Sequence, residues 1–414
     1  MPIAFGSAAA QSRIARLAAL TPVHRAFHWL HLHQPQLKQW QIEMTAIPAP
    51  PFEENIRAAW FLDRFTALGL NHIHTDGIGN ALAELPAPDA GESSPCILIS
   101  AHLDTVFPPG TLCTPTEHEG RLLAPGICDN AAGLTGLLAI AASLRYAKIT
   151  PPLTILFAAN VGEEGQGDLR GMKHLFENGA YKGRIVSAIA LEGSGTNAVV
   201  TRALGSRRFR LTVVGPGGHS WSDAGTPNPI LILGEVLKAF SEVDLPANPR
   251  TTLNTGMISG GTSINSIPES ASALLDLRST DPLQLETIEA RLRQICGRFD
   301  PRKDDTREAS ATPVTLETIG DRPAGELPDD SPLLQTIRAV DRHLTLRTEP
   351  RIGSTDANLP LALGIPAVAI GAGGIGGGIH TLQEWYDPTG REIALRRILL
   401  TLLDTAEVAS AARR

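Results

Sequence analysis

CILISAHLDT, residues 96–105, is an apolar run that stops abruptly at a histidine and an aspartate. Such a run is too short for a core helix and too uniformly apolar for a strand with one wet face. It therefore reads as a strand buried on both sides of a parallel sheet, with His102 at its downstream end. Three further runs repeat the pattern. LTILFAAN (153–160) leads into Gly162-Glu163-Glu164-Gly165, IVSAIAL (185–191) into Glu192, and PAVAIG (366–371) into a glycine-rich loop that ends at His380. Asp129, in PGICDNAAG (125–133), stands just before the apolar helical run AAGLTGLLAIAASL. Parallel strands place their downstream ends at one edge of the sheet, so His102, Asp129, Glu164, Glu192 and His380 describe one polar site.

The rest of the chain frames that site. With 414 residues, 43% of them hydrophobic, the chain can bury a large core and favours two domains. A formal charge of −7 and the absence of a Lys/Arg run exclude an electrostatic footprint for nucleic acid or an anionic membrane. Cys96, Cys113, Cys128 and Cys296 are scattered without a CxxC, which fits a reduced, cytoplasmic protein. The first forty residues mix basic residues into short apolar stretches, so no signal or membrane-spanning segment is expected, and His24, His28, His31 and His33 read as surface residues of an N-terminal helix.

Strand and helix patterns alternate from about residue 40 to 203, the signature of an α/β domain with helices on both faces of a mostly parallel sheet. The style then changes. SRRFRLTVV (206–214) and ASALLDL (271–277) alternate like half-exposed strands, with helical stretches near 229–240 and 284–298, a charged loop at 302–310 and one more strand at 313–317. This predicts a smaller α+β domain over 205–320 inserted between two parts of the first, 1–204 and 321–414. The first domain must be discontinuous, because His380 returns to the site of the other four ligands.

The spacings suggest a division of labour. Asp104, two residues beyond His102, can hold the second ring nitrogen of a ligating histidine. Asp129 could merely cap its helix, but beside His102 and Glu164 its two oxygens could bridge two cations. The adjacent Glu163 and Glu164 repel one another unless something positive offsets them. One could coordinate metal while the other takes a proton from water and returns it to a leaving amine. Two histidines, two terminal carboxylates and a shared one suit a pair of zinc ions. GAGGIG (371–376) matches a dinucleotide fingerprint, but no helix is expected to open after it and too little chain remains for a βαβ unit.

SAHLDT, Asp129-Asn130, GEEG, Glu192, GPGGHS (215–220) and GGIHTLQEW (377–385), in this order, resemble the dinuclear zinc exopeptidases and amidohydrolases. That family includes peptidase T, carboxypeptidase G, succinyl-diaminopimelate desuccinylase and aminoacylase, and the chain looks most like its peptidase T-like members from about residue 38 onward. The resemblance implies one zinc on His102, Asp129 and Glu192 and another on Asp129, Glu164 and His380, sites that Co²⁺ or Mn²⁺ could also fill. It makes Glu163 the general base and acid and Asp104 the partner of His102. The inserted domain becomes a lid and homodimer interface, from which His219 reaches the partner's site to stabilise the oxyanion. Asn265 and Arg278 match substrate-binding lid residues, and Gly353 and Ser354 of GSTDAN a substrate-contacting loop. The implied substrate is a short peptide or an N-acyl amino acid. Glu192 is more usual in carboxypeptidases and deacylases, whereas GSTDAN and GGGIHTLQEWY lean toward peptidase T.

Overall fold

The CILISAH run forms the strand Cys96–His102, with every residue buried. It lies between Thr154–Asn160 and Ile185–Leu191 and parallel to both, and Ala367–Ile370 adds a fourth parallel strand beside Ile185–Leu191. In this computed structural model, which describes residues 6–299 and 313–413, the margins of that sheet are mixed. Ala81–Leu85 and Asn71–Thr75 extend it antiparallel on one side. On the other side Ala198–Ala203 pairs antiparallel with Ala367–Ile370, and Glu349–Gly353 runs parallel to Ala198–Ala203. The sheet is thus mostly parallel at its centre, and the four runs singled out in the sequence are its four central strands.

Helices cover the sheet. Ala131–Ala147 is buried almost along its whole length and packs on the Cys96–His102 strand, next to the long C-terminal helix Arg391–Ala411. Its close seating depends on Gly133, where a Cβ would come within 2.5 Å of the Leu191 carbonyl oxygen. The N-terminal stretch belongs to the same core. Helices Ala8–Ala18, Thr21–Leu32 and Gln34–Thr45 bury Ile14, Leu30 and Leu37 completely, each such side chain contributing about 1.5–3 kcal/mol relative to exposure. Arg13 Nε donates to Asp404 Oδ1 at 2.9 Å, fastening the first helix to the last. His24, His28 and His31 are exposed, while His33 is half-buried and stacks on Trp29 at 4.3 Å.

The chain divides into two units, Met1–Ala203 with Glu326–Arg414, and Leu204–Gly325. The second carries an antiparallel sheet in the order Thr252–Gly260, Ser270–Ser279, Gly205–Val214, Val314–Arg322. Alternation decides its faces. Ala271, Ala273, Leu275 and Leu277 point into a core with Phe209, Leu211 and residues of helices Pro229–Ser241 and Pro282–Phe299, while Asp276 and Arg278 lie on the other face. Thr252–Gly260 is an edge strand, exposed from Asn254 onward. The charged 302–310 segment lies outside the described residues. Among the described residues no helix is long and apolar enough to cross a membrane.

Candidate metal centre

The downstream ends of the central strands bring together most of the expected ligands. His102 closes its strand with 1% of its surface exposed. Its Nε2 lies 3.2 Å from Asp129 Oδ1 and 3.3 Å from Glu192 Oε1. Its Nδ1 faces the backbone carbonyl of Asp104 at 3.0 Å, with the Asp104 carboxylate farther off at 3.7 Å. Asp104 thus meets the ring nitrogen of His102 through its carbonyl, the nearer of its two groups. Two better donors claim the carboxylate, because Oδ1 accepts the Glu163 N–H at 3.0 Å and Oδ2 the Glu164 N–H at 2.7 Å. Asp104 is fully buried and fixes the backbone of the acidic pair.

Asp129 does not cap the helix that follows it. Asn130 does, accepting the Gly133 N–H at 3.1 Å through the same oxygen that accepts Gly193 N–H at 2.9 Å, while its Nδ2 donates to the Leu191 carbonyl at 2.9 Å. One side chain thereby ties the helix start to both sides of Glu192. Freed from capping, Asp129 extends Oδ2 to His380 Nε2 at 3.0 Å, and the same nitrogen lies 3.1 Å from Glu164 Oε1. Two groups result, His102–Asp129–Glu192 and Asp129–Glu164–His380, each with its ligand atoms within 4.8 Å of one another and with Asp129 in both. Glu163, His102 and Glu164 form a third group of the same span, with Glu163 buried.

Electrostatics describe a site rich in negative charge. Burial pushes Glu192 up to about 7, against the pull of His102. Hydrogen bonds to Asp129 and Glu164 raise His380 to about 10. Burial opposes charge on Asp129 and His102, yet their mutual contacts hold the aspartate low and, together with Glu192, the histidine high. Carboxylates that drag imidazoles this far upward would be equally well offset by divalent cations. Asp129 Oδ1 is also buried and, although 3.2 Å from His102 Nε2, accepts no hydrogen bond of good geometry, that nitrogen being directed at Glu192. Nitrogen and carboxylate donors with an orphaned buried oxygen between them fit Zn²⁺, Co²⁺ or Mn²⁺.

The sequence reading missed Glu384. Its side chain is completely buried and accepts three backbone N–H groups, from Gly126 at 3.0 Å and from Cys128 and Asp129 at 2.8 Å each. Its only signal was an acidic residue inside the otherwise apolar end of HTLQEWY. In the glycine-rich loop a Cβ on Gly376 would lie 2.3 Å from Cys128 Sγ and 2.9 Å from Ser194 Oγ. As expected, no helix follows GAGGIG; Ile375–Gly377 is a short strand.

Gly353 ends its strand opposite Ala203, and Ser354 leads to Asp356, which accepts from Asn160 Nδ2 at 2.8 Å beside the His102 strand. In the second unit His219 and Asn265 are neighbours, since His219 pairs with Ser266 and the Ser220 N–H donates to the Asn265 carbonyl at 3.0 Å. The N–H groups of Trp221 and Ser222 donate to His219 Nδ1 at 3.2 and 3.4 Å. That leaves the proton of a neutral ring on Nε2. Arg278 Nε donates to Asp276 Oδ2 at 2.6 Å.

The profile of Peptidase family M20/M25/M40 matches residues 98–404. The chain is 29% identical over 255 residues to an acetylornithine deacetylase of Vibrio atlanticus, covering 57% of this chain and 63% of that protein. It thus spans less than two thirds of that relative's length. A tripeptidase structure from Staphylococcus aureus superimposes with a TM-score of 0.70 at 21% identity, over 90% of this chain and 98% of that one. Aminopeptidase PepT of Bacillus cereus gives 0.68 at 22% identity, over 90% and 99%.

Proposed function

The chain belongs to Peptidase family M20/M25/M40, and from that premise we propose that it is a metal-dependent hydrolase cleaving the amide bond of short peptides, as a di- or tripeptidase-like exopeptidase. The observation that carries this reading is the pair of ligand groups sharing Asp129, with the buried Glu163 beside them. His102, Asp129 and Glu192 would hold one zinc, and Asp129, Glu164 and His380 the other, with Co²⁺ or Mn²⁺ as substitutes. Two such ions, when bound, polarise the scissile carbonyl and acidify water. Glu163 takes the proton from the attacking water and delivers it to the leaving nitrogen, its backbone fixed by Asp104. His219, with its proton on Nε2, is suited to donate to the oxygen of the tetrahedral intermediate.

The chain acts as a homodimer through the smaller unit, where the Thr252–Gly260 edge strand leaves Met257 66% and Ile258 64% exposed. Asn265 and Arg278 bind substrate. The guanidinium of Arg278 still has N–H groups beyond the one given to Asp276, enough for a substrate carboxylate. Gly353 and Ser354 contribute the loop beside Asp356. Four buried cysteines outside any disulfide support the reducing cytoplasm as its place.

A second reading, carboxypeptidase or N-acyl-amino-acid deacylase, is favoured by Glu192 and by the similarity to a deacetylase. A screen of the zinc-loaded protein against free, N-acetylated and C-amidated versions of the same di- and tripeptides, with a chelator control, separates the two. Cleavage that needs a free amino terminus is expected. Cleavage that needs a free carboxylate and tolerates N-acylation would establish the second reading, and turnover unaffected by chelator would overturn both.

A further inference from the structure

We propose that Glu384 is a positioning residue that aims the shared carboxylate of Asp129 at both ligand groups. The inference rests on the dinuclear reading above and concerns a residue with no ligand role in it. Glu384 lies four positions beyond His380, on the same loop, with its side chain turned inward onto the loop that bears Asp129. Oε1 accepts the N–H groups of Cys128 and Asp129, and Oε2 accepts that of Gly126. The main chain adds a further tie, because the Ala124 N–H donates to the Glu384 carbonyl at 3.1 Å.

The grip therefore falls on the peptide unit of Asp129 itself and on the residues that lead into it. The start of the helix takes only carbonyls of that segment, the Ala131 and Ala132 N–H groups donating to those of Gly126 and Cys128 at 3.2 and 3.3 Å, so the N–H groups of Gly126, Cys128 and Asp129 fall to Glu384. Three N–H groups converging on one carboxylate leave the segment little rotational freedom. Since Asp129 faces His102 with one oxygen and His380 with the other, a small rotation of its backbone would misdirect both oxygens together. The loop that supplies His380 thus also sets the direction of the ligand that His380 must share a cation with. An apolar residue could fill the same space but could not take the three N–H groups.

The test compares Glu384→Gln, Glu384→Ala and the parent in Co²⁺ titrations followed by visible absorption, with the thermal midpoint of each metal-free protein as a control for folding. Glutamine keeps the shape but sets an NH₂ group against one of the N–H donors. Glu384→Gln is expected to hold a metal-free midpoint close to the parent's and to bind both Co²⁺ equivalents on the order of 10–100-fold more weakly, with an altered spectrum. Formate, which can re-enter the space left in Glu384→Ala, is expected to restore affinity there. Should the Gln variant fail to fold, Glu384→Asp keeps the charge with a shorter reach and is expected to show the same weakening. Parent-like affinity and spectrum in the folded variants would overturn the proposal, as would a fall in midpoint with Co²⁺ binding unchanged. A parent that takes up fewer than two equivalents would instead overturn the dinuclear reading itself.

Discussion

Glu163 and Glu164 are adjacent, yet their surroundings separate them: Glu164 lies 3.1 Å from His380 Nε2, whereas Glu163 is grouped with His102 and Glu164 and lies outside both groups that share Asp129. Glu163→Gln removes the proton acceptor without touching either of those groups. The variant is expected to retain both metals by elemental analysis and to lose turnover by about 10²–10⁴-fold, the share usual for general acid–base catalysis. Near-parental kcat would remove Glu163 from that role. Asp104→Asn keeps the volume but turns an NH₂ group toward one of two N–H donors, so metal affinity or activity is expected to fall by roughly 10–100-fold, read by titration with a competing chelator. His102, Asp129, Glu164, Glu192 and His380 stood out in the sequence because apolar runs mark the strand ends and, for Asp129, the helix start beside which they lie. The task of Asp104 did not, since the N–H groups that claim its carboxylate lie some sixty residues away and arrive only with the tertiary fold. Glu384 is farther still from the segment it holds, standing 258 positions after Gly126.

The helix Ala131–Ala147 shows how one element carries ligand geometry. Its cap, Asn130, is buried and joins the helix start to Leu191 and Gly193, so Asn130→Ala loses a cap and leaves buried backbone groups unpaired. Caps account for about 0.5–2 kcal/mol and each orphaned buried group for about 1–3 kcal/mol. The expected loss in denaturant unfolding is therefore at least about 2 kcal/mol, accompanied by weaker metal binding through Glu192. A loss under half of that would mean the cap is replaceable. Gly376→Ala presses a methyl group onto Cys128 and Ser194 and is expected to destabilise by roughly 1–3 kcal/mol in the same assay. The central strands were readable because burial on both faces forces uniform apolarity. The edge strand Thr252–Gly260, TLNTGMISG, was not, because its polar and glycine-rich sequence has little strand character of its own and its extended form is supplied by pairing with Ser270–Ser279.

At the scale of the whole molecule the inserted unit is separable on paper. Its flanking residues meet within the first unit's sheet, where the Leu327 N–H donates to the Thr201 carbonyl at 2.8 Å and Arg202 pairs with Glu326. Replacing residues 204–325 by a short Gly/Ser linker is expected to leave a folded protein that binds two metals and has lost turnover with His219 and Asn265. Unfolding of that shortened chain, judged by circular dichroism, would mean that the larger unit needs the smaller one. In the intact chain, the dimer proposed above is expected to sediment as such and Ile258→Lys as a monomer in sedimentation velocity; a monomeric parent would overturn the dimer. The sheet order has a further consequence, for synthesis. Ala367–Ile370 sits between Ile185–Leu191 and Ala198–Ala203, so a strand made after the insertion completes a slot left by two made before it. A nascent chain emerging from the ribosome must hold that slot open while the entire insertion is produced, with apolar strand edges bare to neighbouring polysomes.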